Sequence, residues 1–387
     1  MTGHEPRPAP CPVRATTLRG GVPAWLVTRY ADVVAMAGHP DLSCDPVHAG
    51  DTLERALGPA ARARPDLRSS LLTLDPPDHT RLRAYAVAPF TPRRSEQHQG
   101  LISAAADALI DKIAPTGRAD LMPDLALPLS TTVLCEAVGV PRDGHSLVRR
   151  WLDTALLPTA DAASIRALNA VLTEVDDYLV TLLPHHRANP GPSLLSRLVR
   201  ALDAGALTRT EATELAATVL FAGVEAPAAV IGAGLLALLQ HPDLCARLRT
   251  APRAVLDSAV EEIVRHGGPI EALTRYSTAP IDVDGLEIPA GVPVILCTGV
   301  ANHDPSAFTH PDRLDIDRTP NPHLGFGHGP HRCPGASLGR LITATAIHTT
   351  LRRLPELALD TPTAPRQRNS VFVHGIAELP VTFDAQP

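Results

Sequence analysis

The segment from Thr208 to Leu239 limits the fold more than any other part of the chain. Thr208 and Glu211 have the spacing of a capping box, in which two side chains reciprocally satisfy orphan N–H groups of a helix's first turn. Apolar residues then continue to Leu239, and His241-Pro242 ends the run. About 30 residues at ~1.5 Å each make a rod of roughly 45 Å. From Leu215 to Leu239 the rod is apolar nearly all round, so it has to pass through a core rather than lie on a surface.

Further helical patterns cover 78–88, 97–114, 120–138, 144–156, 162–186, 192–202, 254–265 and 336–354. Residues 24–38 read as a strand and then a helix, and 43–74 as irregular chain with a short helical piece near Leu53–Leu57. Short strands separated by Gly and Pro follow at 274–277, 281–283, 287–288 and 293–297, with two more at 371–374 and 379–383. A long loop spans Asn302 to Cys333. No repeat or linker divides the chain, which predicts one large domain over 1–387, mainly α with a minor β part. Its first 20 residues are polar and proline-rich and are expected to be poorly ordered.

Composition narrows the function classes. Apolar residues make up 44% and charges 20%, enough for a sizeable core. The formal charge is −6 with no long run of one sign, which excludes a phosphate backbone as the main partner. No signal peptide or membrane span is apparent, so a cytoplasmic protein without membrane association is expected. The six cysteines (Cys11, Cys44, Cys135, Cys245, Cys297 and Cys333) lack framework spacing and are expected to be free thiols.

One cysteine stands apart. Phe326-Gly-His-Gly-Pro-His-Arg-Cys333-Pro-Gly335 places glycines on both sides of a single sulfur, as a tightly folded loop requires. The helix from Ala336 starts just after it, and its N-terminal N–H groups are expected to stabilise a thiolate. Such a thiolate can ligate iron, which favours O–O cleavage. Zinc bound by His328, His331 and Cys333 is the alternative, although it lacks a persuasive fourth ligand.

The pattern F-G-x-G-x-H-x-C-x-G resembles the haem-binding loop of the cytochrome P450 family. That resemblance implies the fold of the family, with a long central helix over a haem b whose iron is ligated by Cys333. Further matches run from residue 75 to 340. In Asp75-Pro-Pro-Asp-His79-Thr-Arg81-Leu-Arg83 the resemblance makes His79 and Arg83 contacts to the haem propionates. Arg275 and His331 match two more such contacts, and Phe326, Gly335 and Ala222 are further cofactor neighbours by the same likeness. Glu262 and Arg265, with Arg318, match a buried structural ion triad.

The long helix departs from the family at Ala222-Gly223-Val224-Glu225-Ala226-Pro227. Relatives usually have an acid followed by threonine here, over the iron. Glu225 keeps the acid, while Ala226 removes the hydroxyl. Pro227 has no N–H for the Gly223 carbonyl, so a kink and a polar groove beside Gly223 are expected. Glu225, Ala226 and Gly223 are therefore the candidate catalytic set, with protons supplied by ordered water or by the substrate.

A substrate wall is expected near Leu72, Leu220, Phe221, Ile270, Leu273 and Phe372, which are apolar and fit a small, partly hydrophobic natural product. Glu271 in this wall reads either as a partner for a basic or hydroxylated group or as a solvated acid. The expected partners are a ferredoxin and its ferredoxin reductase, with Arg93, Arg94, Arg332 and Arg340 as the docking patch on a monomeric enzyme. Alternatives are oxidative C–C or C–O coupling or peroxide-driven oxidation without net oxygen insertion, and a haem-binding protein that has lost turnover.

Overall fold

The computed structural model describes residues 13–18, 20–49, 70–157, 161–360, 366–368 and 373–386. The short helix expected near Leu53–Leu57, and Phe372 of the expected pocket, lie outside the described residues.

The described helices are α1 (Tyr30–Met36), α2 (Asp78–Val87), α3 (Pro92–Glu96), α4 (Gln99–Ile113), α5 (Leu127–Val138), α6 (His145–Leu156) and α7 (Ala162–Ala188). They continue with α8 (Leu194–Asp203), α9 (Arg209–Leu239), α10 (Pro242–Arg249), α11 (Arg253–Gly267), α12 (Thr298–Ala301) and α13 (Ala336–Arg353). The capping box of α9 forms as its spacing implies. Thr208 Oγ1 accepts the Glu211 N–H at 3.2 Å, and Glu211 Oε2 accepts the Thr208 N–H at 2.8 Å. Around α9 pack α5, α13, α11, α7 and α8, all contributing to one apolar core. Among the described residues α9 is the one helix long and apolar enough to cross a membrane, but most of that stretch is buried inside the protein.

The helix runs unbroken through Pro227. Pro227 and the three residues after it are buried. Pro227 has no N–H, so the local cost is the one hydrogen bond that the Gly223 carbonyl cannot receive from it.

A five-stranded sheet flanks the helical body in the order β1-β2-β8-β5-β3, built from β1 (Val13–Leu18), β2 (Val22–Val27), β3 (Leu42–Ser43), β5 (Leu273–Ser277) and β8 (Pro293–Leu296). Only β2 and β8 run parallel. Strands β4 (Arg118–Asp120), β10 (Pro380–Thr382) and β9 (Ala358–Leu359) form a second sheet, and β6 (Ile281–Val283) with β7 (Leu286–Ile288) a hairpin. The expectation of a poorly ordered segment through residue 20 is corrected for β1. All six of its residues pair with β2, and the polar side chains of this edge strand face solvent because only Val13 is buried.

An ion cluster joins α11 to the long loop. Glu262 and Arg265 are fully buried, and Arg265 donates from Nε and Nη2 to the two carboxylate oxygens at 2.8 Å each. Arg318 Nε donates to the same carboxylate at 3.0 Å, the Asp315 N–H at 2.8 Å and Asn321 Nδ2 at 3.1 Å. Burial would raise the proton affinity of Glu262, but these donors outweigh it and hold the carboxyl below its usual range. The loop that ends at Cys333 is thus tied to the core by its own backbone.

Candidate functional site

The cysteine loop closes on itself through main-chain bonds. Cys333 N–H donates to the Phe326 carbonyl at 2.8 Å, Gly327 N–H to Leu324 at 2.8 Å and Arg332 N–H to Gly329 at 3.1 Å. Gly329 has φ +73°, and a Cβ there would come within 2.8 Å of the Ala37 carbonyl, so only glycine lets the loop sit against α1.

Cys333 is packed round by protein yet retains accessible surface. A Cβ on neighbouring Gly335 would touch nothing within 4 Å. On α9, Ala222 is exposed and Ala226 half-buried, whereas Val224, Glu225 and Pro227 beside them are buried. These two are i, i+4 and share a face, which marks that face as the wall of a cavity.

The Gly335 N–H at the start of α13 acts on Cys333 in the direction expected, favouring the thiolate. Burial raises the proton affinity of the Cys333 thiol, and the Gly335 N–H and the charges of Arg83, Arg340 and Arg332 oppose it without prevailing. The helix start alone does not hold a thiolate here, whereas a coordinated metal ion removes the proton outright. The zinc alternative does not assemble: among the described residues, the donors gathered round His331 are Cys44 and Asp75, not His328 and Cys333. Asp75 already accepts bonds from Ser43 Oγ and the Cys44 N–H.

Four basic side chains converge beside the loop. The His79 and His331 rings stack with centroids 3.9 Å apart. Burial lowers the proton affinity of both imidazoles, and the charges of Arg83 and Arg275 lower it further; His331 falls to about 3. Arg275 is buried and Arg83 donates to the Arg332 carbonyl. His79 Nε2 is buried without a hydrogen-bond partner. An orphaned ring nitrogen among two guanidiniums, with Asp75 as the neighbouring acid, is a site short of anionic acceptors. The two carboxylates of a porphyrin supply them, so these residues fit a haem whose iron faces Cys333.

Glu225 lies differently from expectation. It is 2% exposed and is clamped by Arg149 Nη1 of α6 at 3.0 Å and Arg368 Nη1 of the C-terminal segment at 2.5 Å. Both arginines also reach Asp153. Burial raises the proton affinity of Glu225, and Arg368 and Arg149 pull it back only in part. Gly223 faces α5, since a Cβ would lie 2.5 Å from Leu134 Cδ1. Ala226, rather than Gly223 or the clamped acid, is thus the member of the trio on the open face.

The substrate wall divides. Leu220 is fully buried in the main core and does not line the cavity; α9 is apolar all round, so its pattern could not show which face is open. Leu72 is 52% exposed. Leu273 packs with the sheet, near Gly327. Phe221 and Ile270 pack on a small cluster of Leu156, Ala229 and Val373, apart from the main core. Arg93, Arg94 and Arg332 are exposed as a docking patch requires, but Arg340 is engaged with Glu261 and is removed from it. Sequence reading missed Arg149 and Arg368, which sit 76 and 143 residues from Glu225 with no local signal in an arginine-rich chain.

The family model for cytochrome P450 matches residues 163–376. Cytochrome P450 monooxygenase PikC of Streptomyces venezuelae is 38% identical over 369 residues, covering 94% of this chain and 86% of that protein. Mycinamicin IV hydroxylase/epoxidase of Micromonospora griseorubida is 36% identical, covering 99% and 100%. The solved structure of the bacillaene polyketide synthase cytochrome P450 PksS of Bacillus subtilis superposes with a TM-score of 0.87 at 32% identity, covering 96% and 93%. On these similarities, and with four bases converging beside its cysteine loop, the chain belongs to the cytochrome P450 family and is a haem-thiolate monooxygenase.

Proposed function

We propose that this monooxygenase hydroxylates or otherwise oxidises a small, partly hydrophobic natural product of polyketide type, with two electrons from a ferredoxin. The observation that carries the reading is the accessible sulfur of Cys333 at the base of a loop flanked by an orphaned His79 nitrogen. Cys333 ligates the iron of haem b. His79, Arg83, Arg275 and His331 hold its propionates, while Phe326, Gly335 and Ala222 shape its seat. When bound, the haem supplies activation of dioxygen. Names of relatives support the substrate class: one hydroxylates or epoxidises mycinamicin IV, and another belongs to a bacillaene polyketide synthase. Phe221 and Ile270 with the small apolar cluster form the hydrophobic part of the wall, and Glu271, next in the chain to Ile270, offers an acid. The protein works as a cytoplasmic monomer.

Ala226 has no hydroxyl to pass a proton across the open face of α9, and Glu225 is held by two arginines. A proton at that face is therefore carried by ordered water or by a hydroxyl or amide of the substrate, with the Gly223 carbonyl free to accept a hydrogen bond. Ala226→Thr tests this with native substrate and its deoxy analogue. Threonine is expected to raise coupling of NADPH consumption to product for the deoxy analogue. Unchanged coupling for both substrates overturns the proposal.

Ferredoxin-supported turnover is expected to fall on charge reversal at Arg93, Arg94 or Arg332, and in wild type to decline steeply as ionic strength rises. An association rate independent of salt contradicts this docking face.

A further inference from the structure

A second charge cluster lies behind the cysteine loop, adjacent in sequence to the Glu262 triad but separate from it. Glu261 on α11 accepts from Arg340 of α13 at Nε and at Nη2, the latter at 2.8 Å. It also accepts from His323 Nε2 at 2.9 Å. His323 Nδ1 accepts the Gly325 N–H at 3.1 Å, so the ring meets Glu261 with its Nε2 proton. The opposed charges that pair directly here are the Glu261 carboxylate and the Arg340 guanidinium. Burial would raise the proton affinity of Glu261, but the bonds from Arg340 and His323 outweigh it and bring the carboxyl to about 2. It is a carboxylate at any working pH.

The cluster is aimed at the loop. The Arg340 guanidinium lies 4.2 Å from the Phe326 ring centroid, a cation–π distance, and the His323 ring is 5.7 Å from the same ring. Phe326 in turn accepts the Cys333 N–H, and the Arg340 charge acts on the sulfur itself. His323 is 3% exposed and the two charged side chains less than a third. The planar guanidinium both forks to the carboxylate and stacks on the ring, whereas a lysine at this position would keep the charge alone. Charges and hydrogen bonds around a ligating sulfur tune how strongly it donates to its metal.

We propose that Glu261 and Arg340 form a compensated charge pair that sets the reduction potential of the sulfur-ligated iron, with Phe326 fixing the distance between Arg340 and Cys333. This rests on the haem-thiolate reading above. Arg340 is a positioning residue in this scheme and touches no substrate.

The test is the ferric–ferrous midpoint potential of the purified holoenzyme, measured by spectroelectrochemical titration. Glu261→Gln leaves the guanidinium uncompensated beside the sulfur and shifts the potential upward. Arg340→Gln leaves the carboxylate uncompensated and shifts it downward. Each shift is expected to be several-fold in the reduced-to-oxidised ratio at fixed applied potential, where tenfold corresponds to about 59 mV for one electron. The double variant and Arg340→Lys, which restore charge balance, return towards wild type. All variants keep the red-shifted Soret band of the reduced carbon-monoxide complex. Shifts of the same sign in both single variants, or none, overturn the proposal, because a purely structural cluster moves both one way. Should a single variant not fold, the comparison of Arg340→Lys with the double variant decides, and disagreement between those two is equally fatal. A wild-type protein without the sulfur-coordination band defeats the haem-thiolate reading itself, a result distinct from these.

Discussion

Exchanging Cys333 for serine is expected to abolish both substrate oxidation and the red-shifted Soret band of the reduced carbon-monoxide complex, with the fold left in place. The two halves of this expectation come from different parts of the structure. Catalysis depends on a soft sulfur anion donating to the iron, and an alcohol is not deprotonated as a thiol is. The fold makes little use of the side chain: Cys333 belongs to none of the apolar clusters and retains accessible surface. Loop closure instead runs through the Cys333 N–H to Phe326 and the Arg332 N–H to Gly329, both of which serine keeps. A side chain of this kind contributes within about 0.5 kcal/mol to folding of the protein part. Far-UV circular dichroism of wild type and variant should coincide while the carbon-monoxide spectra differ. An unaltered spectrum in the serine variant would remove the basis of the site assignment.

How much of this was legible in sequence follows from the range of each signal. Helix α9 was placed within one residue at each end, because its capping box and the His241-Pro242 stop are local chemistry. Loop glycines announced the cysteine site for the same reason, since a positive φ at Gly327 and Gly329 is a local demand. The edge strand β1 escaped notice because its side chains beyond Val13 face solvent or are only partly covered. Pro227 shows in sequence as a missing N–H, and the helix assignment nevertheless continues through it. Arg340 looked like a surface cation among other arginines. Only the fold brings it to Glu261, 79 positions away, and over the Phe326 ring. Charge partners that meet across the chain are invisible to periodicity, and the functional tuning of this site is made of such partners.

The largest loss of stability is expected from Arg265→Ala. Its side chain is fully buried and makes five hydrogen bonds: two to Glu262, and one each to the carbonyls of Asn302 at 2.8 Å, Pro311 at 2.7 Å and Arg313 at 3.1 Å. Alanine leaves Glu262 with less compensation in the core and orphans the Asn302 and Pro311 carbonyls of the long loop, while the Arg313 carbonyl keeps only its bond from Arg318. Breaking a buried pair by removing one partner costs about 3–5 kcal/mol, a large share of the roughly 5–15 kcal/mol that holds a protein folded. At about 2.1 cal/mol/K per residue, a loss near 4 kcal/mol lowers the melting temperature of a two-state chain of this length by about 5 °C. The comparison is Arg187→Ala, whose pair with Asp203 is about half exposed on both sides, so that solvent screens it and its loss costs little. The pH dependence has a definite sign. The Glu262 carboxyl is held below its unfolded value, so its stabilisation is complete above about pH 4.3 and is lost as the pH falls towards the folded value. The gap in stability between wild type and the Arg265 variant should therefore narrow in acid. Because the orphaned carbonyls belong to the loop that leads to Cys333, the variant should also release haem faster than the Arg187 control at equal temperature. Equal melting temperatures and equal haem release for the two variants would show that the buried cluster does not anchor the loop.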